Sequence, residues 1–307
     1  MIGLALFLSV IFATEPPDTV KLIVVHTNTI HGALDVQPAT WMNPDFPPPV
    51  GGAGAALAAI RAEKARADSE HAAFLLLDAG EALGGNALCD TPIVKPVAEF
   101  MNAAGYDAMT IGVFELICGD SAIREFKKLV KFPILAANLT YPDDTLRNID
   151  YVAPYKIFEF KDLGLKVGVF GLVSDASRIF LTIEDGRKYF FLREVETARR
   201  IVKELREQHG VDIVIALTHI GLSRDTLLID SVPGIDVVIG GFDGYGMRSA
   251  YESPFTHGIV VRTYQRLTSL GRLELIYDRR NRTIIDYNWR PISLILEELG
   301  EEEGREE

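Results

Sequence analysis

Five short polar segments hold the side chains that could carry out chemistry. They read HTNTIHG, LLLDAGEALGG, MTIGVFELICG, ALTHIGL and IGGFDGYG, and they begin at positions 26, 75, 109, 216 and 239. Within them, His31, Glu81 and His219 offer the imidazole and carboxylate groups that ligate divalent metal ions. The sequence therefore raises the question of whether these three side chains form a working metal centre or belong to a site that has lost its metals.

Each polar segment follows a run of residues typical of a buried strand. These runs are VKLIVVHT, AAFLLLDAG, YDAMTIG, VDIVIALTH and GIDVVIGG, and further strands are predicted at FPILAANL and LKVGVFGLV. Helices are predicted between them at AGAALAAIRAEKARAD, PIVKPVAEFMNAAG and EVETARRIVKELREQHG. The last runs, HGIVVRTYQ, LTSLGRLELIYD and RTIIDYNWRPI, alternate more and are predicted to be antiparallel strands. Because ligand sites of α/β folds lie where strands end, the five segments are expected to meet in space.

The order and spacing of these segments carry a resemblance to a known family. HTNTIHG, DAGE, MNAAGYDAMTIGVFE, THIG and VPGIDVVIGG resemble the catalytic domain of the 5′-nucleotidase/UDP-sugar hydrolase family of calcineurin-like metallophosphoesterases, and the related sulfur-oxidation thiohydrolases. The similarity runs from about Val20 to Leu275. It implies an α/β fold of the metallophosphoesterase type, a four-layer sandwich of two mixed β-sheets flanked by helices.

Enzymes of this family hold two metal ions that share a bridging carboxylate, and the ions activate a water for attack on phosphorus. The resemblance assigns the first loop's ligands to Thr29 and His31, and the bridging carboxylate to Glu81. It assigns the remaining ligands to four positions, which hold Val113, His219, Phe242 and Gly244. The position of the catalytic histidine holds Phe114. By this comparison, His31, Glu81 and His219 are vestigial ligands, and Thr29, Val113, Phe242 and Gly244 are degenerated ones.

The number of remaining ligands argues against a working centre. Shared between two metals, His31, Glu81 and His219 supply two protein ligands to each, whereas a catalytic zinc takes about three. Valine and phenylalanine have no lone pair and would strip water from a cation without replacing it. We therefore expect no metal cofactor and no catalytic residue. The alternative is a metal-dependent phosphoesterase with a reduced site, in which Asp243 joins the three vestigial residues around one weakly held ion.

Several of these residues also have structural interpretations. His31 and His219 could persist as hydrogen-bonded loop residues, and Glu81 could cap a helix. Phe114 and Phe242 could either refill the vacated metal cavity or line a ligand pocket. The neighbouring polar residues are assigned structural roles in turns and at strand ends: His26, Asn28, Asp78 and Asp107.

Charge excludes one class of function. The formal net charge is −12, and the segment 295–307 carries seven Glu and one Arg, which amounts to −6 of that total. Binding of nucleic acid would require a basic patch, and the sequence indicates none. We therefore expect no nucleic-acid partner.

The first residues, MIGLALFLSVIFATEPPDT, form a short apolar run followed by small and polar residues. The run is too short to span a bilayer and resembles the core of a secretory signal with cleavage after Ala13, although no basic residue precedes it. A buried first strand or a wrongly assigned start is the alternative. We expect an exported protein, periplasmic or extracellular, without a transmembrane segment in the mature chain. In that setting Cys89 and Cys118 could form a disulfide, and two buried thiols are the alternative.

These interpretations lead to one prediction for the whole chain. Residues 1–19 are a signal peptide and leader, 20–291 a metallophosphoesterase-type domain, and 292–307 an acidic tail. The protein is expected to be a non-catalytic homologue with a binding or structural role. Its partner could be an unidentified protein, another subunit or a small ligand in the remodelled cleft. Retained affinity for phosphate or nucleotide without turnover is a further alternative.

Overall fold

The structure is a computed structural model that describes residues 18–84 and 93–296. Its strands, in chain order, are β1 Thr19–Thr27, β2 Gln37–Pro38, β3 Pro49–Val50, β4 Ala73–Asp78, β5 Ala108–Thr110, β6 Ile134–Leu135, β7 Leu139–Tyr141, β8 Asp144–Asn148, β9 Tyr155–Phe160, β10 Leu165–Val173, β11 Phe190–Phe191, β12 Ile213–His219, β13 Val237–Gly240, β14 Tyr251–Glu252, β15 Ile259–Val261, β16 Ser269–Asp278 and β17 Thr283–Ser293. Its helices are α1 Ala53–Ser69, α2 Val94–Ala104, α3 Val113–Leu129, α4 Ile183–Gly186, α5 Glu194–Lys203 and α6 Leu222–Ser231.

Within the described residues, two six-stranded mixed sheets dominate the fold. The first has the order β17-β16-β1-β4-β5-β6, and the second has the order β14-β15-β13-β12-β10-β9. In the first sheet β1, β4, β5 and β6 are parallel, while β16 and β17 are added antiparallel. In the second sheet β10, β12, β13 and β15 are parallel, and β9 and β14 are antiparallel edge strands. The predicted α/β fold with mixed sheets is confirmed.

Alternation along β1 shows how the sequence builds the layers. Leu22 and Val24 point into an apolar core that also contains strand residues of the second sheet, such as Val167 and Leu217. Ile23 and Val25 point the other way, into the core beneath helices α1, α2 and α3. Successive side chains of a strand face opposite sides, so an uninterrupted apolar run is what a strand covered on both faces requires.

The second sheet buries its other face against helices as well. Phe170 of β10 shares a core with Ile201 of α5 and Ile229 of α6. The layers therefore run helix, sheet, sheet, helix, which is the four-layer sandwich that the sequence predicts.

Two local expectations need correction. The segment MTIGVFELICG is not a loop after Thr110, because α3 begins at Val113 and only Ile111 and Gly112 separate strand from helix. The run HGIVVRTYQ was expected to be antiparallel, but β15 pairs with β13 in parallel, and only the short β14 lies antiparallel to it. A three-residue strand shows too little alternation for its sequence to reveal the direction of its partner.

The described residues include no helix that is both long and apolar enough to cross a membrane. The predicted signal segment lies almost entirely outside the described residues, and so does most of the acidic tail.

Candidate functional site

The carboxyl ends of strands from both sheets meet at one edge of the sandwich. β1 and β4 end level with each other, with Thr27 beside Asp78. Across the gap between the sheets, Nδ1 of His219, the last residue of β12, donates to the carbonyl of Ala79 at 2.7 Å. The close approach requires Gly80, where φ is +90° and a Cβ would lie 2.9 Å from His219 Nδ1.

This edge brings together three of the predicted site residues. Nε2 of His31 lies 3.0 Å from Oε2 of Glu81, and Nε2 of His219 lies 3.1 Å from Oε1 of the same carboxylate. His219 is fully buried and Glu81 is 4% exposed. The His31 contact is a hydrogen bond, whereas the His219 contact is an ion pair without hydrogen-bond geometry. One carboxylate thus lies between two imidazoles, one from each sheet.

The electrostatics of this cluster favour its charged form. Burial alone would raise the pKa of Glu81, but the two histidines outweigh it and hold that pKa at about 2. Burial would lower the pKa of His219, but the charge of Glu81 and the hydrogen bond to Ala79 raise it above its usual value. At neutral pH Glu81 is therefore ionised, and both of its oxygens face imidazole nitrogens.

Glu115, which the sequence analysis passed over, holds the Glu81 loop in place. This carboxylate is fully buried in the first turn of α3, and it accepts the backbone N–H groups of Gly112, Glu81 and Leu83 at 2.7, 3.1 and 2.8 Å. Burial and the nearby Glu81 raise its pKa above the usual range. An acidic residue three positions after the helix-capping Gly112 was the available signal, because that position commonly closes a capping box. The loop contacts could not be read from sequence.

A second buried network lies below the loops. Thr27 Oγ1 donates to Asp78 Oδ2 at 2.6 Å and lies 2.7 Å from the hydroxyl of Tyr106, and Gly80 N donates to Asp78 Oδ1 at 2.9 Å. Burial raises the pKa of Asp78 to about 8. The structural role predicted for Asp78 agrees with these contacts. His26 is likewise buried, and it stacks on Trp289 with ring centroids 5.2 Å apart.

The backbone at the site adopts conformations that ordinary residues avoid. Thr29, His31, Glu81 and Phe242 have φ values of 52°, 52°, 62° and 96°. Positive φ is uncommon outside glycine, and asparagine and aspartate tolerate it better than β-branched residues do. Thr29 therefore occupies a conformation that suits the aspartate expected at its position in the family better than it suits threonine.

The remaining predicted positions surround the cluster with apolar groups. The Phe114 ring packs edge-on against His31, with centroids 4.7 Å apart, and the Phe242 ring packs edge-on against His219 at 5.5 Å. Both phenylalanines are half-buried, so each covers a histidine while part of its side chain stays exposed. Val113 is buried at the first position of α3.

Asp243 does not join the three vestigial residues. Its Oδ1 lies 2.5 Å from Nη1 of Arg262, and its Oδ2 accepts the backbone N–H of Leu222 at 3.0 Å. Arg262 is fully buried and also contacts the carbonyl of Gly241. The alternative with a single metal ion requires the carboxylate of Asp243 as a ligand, but that carboxylate is already paired with the guanidinium of Arg262. No local pattern indicated this pair, because its members lie in different elements.

Comparison with known proteins shows which family the chain belongs to. No family model matches the sequence. The chain is 30% identical over 278 residues to a probable 5′-nucleotidase of Treponema pallidum. The matched region covers 84% of this chain and 45% of that protein. It is 32% identical over 223 residues to a snake venom 5′-nucleotidase of Naja atra, and this match covers 72% of the chain and 40% of the venom protein. The chain belongs to the 5′-nucleotidase family of metallophosphoesterases.

The solved structures agree on the fold. A 5′-nucleotidase precursor from Thermus thermophilus superposes with a TM-score of 0.75 at 24% identity, covering 90% of this chain and 55% of that one. The family resemblance that the motifs indicate is confirmed. The chain spans less than half the length of the two curated relatives, at 45% and 40%.

A two-metal centre of the kind found in this family does not fit these side chains. Both oxygens of Glu81 face imidazole nitrogens at 3.0 and 3.1 Å, and the rings of Phe114 and Phe242 lie against those imidazoles. Gly244 has no side chain that could ligate a metal ion, and a Cβ there would lie 2.8 Å from Oε1 of Gln265. Across residues 18–84 and 93–296, no group of three or more His, Cys, Asp or Glu side chains is placed to hold a metal ion.

The proposed disulfide remains a prediction. Cys118 lies in α3 and is partly buried, whereas Cys89 falls outside the described residues.

Proposed function

We propose that this chain is a non-catalytic member of the 5′-nucleotidase family with a binding or structural role. The observation that carries the proposal is the position of Glu81 between His31 and His219. Both oxygens of the carboxylate that would bridge two metal ions face imidazole nitrogens, and the phenylalanines beside those imidazoles offer no lone pair. A dication placed there would lose hydration without gaining enough ligands.

The role outside catalysis is proposed to involve a protein partner or another subunit. We further propose that the protein is exported, on the basis of the apolar run at residues 2–13. The Naja atra relative, which is a venom protein by its name, is consistent with a family that acts outside the cytoplasm.

A second candidate is a metal-dependent phosphoesterase with a reduced metal site. The orientation of His219 favours it, because Nδ1–H donates to the Ala79 carbonyl and Nε2 is directed at Glu81. Metal-binding histidines are commonly oriented in this way by a hydrogen bond from the other ring nitrogen.

Metal content measured together with hydrolysis separates the two candidates. We expect the full chain, purified with added Mn²⁺ or Zn²⁺, to hold well under one ion per molecule by elemental analysis. We expect no hydrolysis of 5′-nucleotides, UDP-sugars or p-nitrophenyl phosphate above background. Glu81→Ala is the matched control, since activity that persists in this variant comes from a contaminant. Two stoichiometric ions, or turnover that both chelator and Glu81→Ala abolish, would establish the second candidate.

Restoration of the family residues tests the same proposal from the other direction. No single reversal should create activity, because groups that act as a unit are strongly non-additive. The complete set changes six positions: Thr29→Asp, Glu81→Asp, Val113→Asn, Phe114→His, Phe242→His and Gly244→His. The last change is the most strained, because φ at Gly244 is +71° and Gln265 occupies the space that the new side chain needs. Rescue by one substitution would contradict the proposal.

A further inference from the structure

A cleft lies next to Gly244, which contributes to its lining. It has a volume of about 710 Å³, within the range of small-molecule sites, and Trp41, Met42, Tyr264, Gln265, Arg248 and Arg266 contribute to its lining. Trp41 is 64% exposed and Tyr264 is 38% exposed, so part of each aromatic side chain is available to a ligand. Within the described part of the chain, the lining holds two arginines and neither aspartate nor glutamate.

The two arginines differ in how they are held. Nε of Arg266 donates to Gln37 Oε1 at 2.9 Å, and its backbone N–H donates to the carbonyl of Thr29 at 2.9 Å. The first contact fixes the guanidinium while leaving its two terminal nitrogens free of bonds to other described residues. Arg248 is exposed and makes no side-chain hydrogen bond or ion pair with another described residue. A positively charged cleft in a chain of net charge −12 is a local feature of this surface rather than a property of the whole chain.

We propose that this cleft binds a small organic anion with an aromatic or apolar body. The forked donors of arginine match carboxylate, sulfonate and phosphate oxygens. The faces of Trp41 and Tyr264, with Met42 beside them, suit a flat apolar body. This inference goes beyond the proposed function, because it holds whether or not a metal ion binds at His31, Glu81 and His219.

A fluorescence titration of the full chain tests the proposal with two matched probes. The first, 8-anilinonaphthalene-1-sulfonate, is an aromatic anion, and the second, N-phenyl-1-naphthylamine, has nearly the same rings without the charge. We expect saturable binding of the sulfonate at one site per chain and weaker binding of the neutral amine. Non-saturating binding at several sites, or equal affinity for both probes, would overturn the proposal.

Two variants assign the binding to this cleft. Arg248→Gln removes an exposed charge and should weaken sulfonate binding about tenfold, which is the effect of losing one charge-assisted hydrogen bond. The amine should bind Arg248→Gln as it binds the unaltered chain. Trp41→Ala should weaken the binding of both probes. The control is Arg187→Gln, which alters an arginine outside the cleft and should change neither affinity. Unchanged sulfonate binding by Arg248→Gln would contradict the proposal.

The chain's own acidic segment is the competing occupant. Ile295 lines the cleft, and residues 297–307 carry seven Glu and one Arg. A chain shortened after Leu296 should bind the sulfonate with unchanged affinity if the cleft serves a separate ligand. A tenfold rise in affinity on shortening would identify the acidic segment as the occupant and overturn the proposal.

Discussion

Two regions of the same site differ in how their polar groups are satisfied. The lower region, which we call the framework, consists of Thr27, Asp78, Tyr106 and Glu115, and its buried side chains bond to one another and to loop backbone. The upper region, the ligand layer, surrounds Glu81 and consists of positions where the family resemblance expects metal ligands. In the ligand layer, threonine, valine, phenylalanine and glycine occupy most of those positions.

The framework bonds directly to the backbone of the loops that carry the site. Glu115 alone accepts three backbone N–H groups, two of which belong to the loop that carries Glu81. Buried backbone donors must be bonded somewhere, and here the framework supplies the acceptor. We therefore propose that side chains of the ligand layer can vary while the backbone keeps the positive φ values of Thr29, His31, Glu81 and Phe242.

The largest effect is expected in the framework. Glu115→Ala removes the acceptor of three buried N–H groups, and we expect it to lower the free energy of unfolding by about 4 kcal/mol. Urea denaturation followed by circular dichroism measures the change. Glu125→Ala, in an exposed position of the same helix, should lie within about 0.5 kcal/mol of the unaltered chain. Equal stability of the two variants would mean that the framework does not hold the loops.

The next effect concerns the charge within the ligand layer. Glu81→Gln leaves the buried imidazole of His219 without its counter-charge, and we expect a loss of about 2 kcal/mol near pH 6. The pKa of Glu81 falls from 4.5 to about 2 on folding, so its contribution is present above pH 4.5 and is lost as the pH falls towards 2. The pKa of His219 rises above 6.5, so its contribution is complete below pH 6.5 and is lost as the pH rises through the folded value.

The difference in stability between the Glu81→Gln variant and the unaltered chain should therefore be largest between about pH 4.5 and 6.5. Denaturation across a pH series measures it. A difference that does not vary with pH would show that the charges of Glu81 and His219 do not stabilise each other.

A smaller effect, of opposite sign, is expected at Thr29. Asparagine accepts φ near +52° more readily than threonine does, so Thr29→Asn should stabilise the protein by about 0.5 kcal/mol. The hydrogen bond lost is weak, since Asn28 Nδ2 lies 3.4 Å from Thr29 Oγ1. Thr145→Asn, at an exposed strand position, should not stabilise and serves as the control. A loss of stability at Thr29 would show that threonine makes contacts that outweigh the strain.

The smallest effect is expected for Asp78→Asn, which contrasts with Glu81→Gln. Burial raises the pKa of Asp78 from 3.8 to about 8, so its carboxyl is largely neutral at pH 7. Because a neutral amide then replaces a neutral acid, we expect the free energy of unfolding to change by no more than about 0.5 kcal/mol. Because the pKa of Asp78 is raised on folding, its protonated form stabilises the fold fully below pH 3.8, and this stabilisation is lost as the pH rises through 8. The Asp78→Asn variant should consequently be more stable than the unaltered chain at pH 9. A cost at pH 7 as large as that of Glu81→Gln would show that Asp78 is ionised in the folded protein.

Local patterns in the amino-acid sequence were enough to predict most strands of the two large sheets, the helices α1, α2 and α5, and the edge at which the polar segments meet. The order and spacing of the motifs, through their resemblance to a known family, indicated the family. Apolar runs and amphipathic spacing are local signals, and the carboxyl ends of parallel strands must gather at one edge. His31, Glu81 and His219 are consequently adjacent, as the motifs imply. Helices α3 and α6 were not predicted. The direction of β15 was not visible either, because a three-residue strand leaves few residues in which a pattern can appear.

The partner of each polar side chain, in contrast, became apparent only from the packed fold. Glu115 bonds to residues 32 and 34 positions away, and Asp243 meets an arginine of another element rather than the three vestigial residues. The charge states of Glu81, Asp78 and His219 likewise follow from burial and neighbours, since desolvation and nearby charge set a pKa. Residue types reveal which groups could bond or ionise, but the distances between loops, fixed by packing of the two sheets, select which of them do.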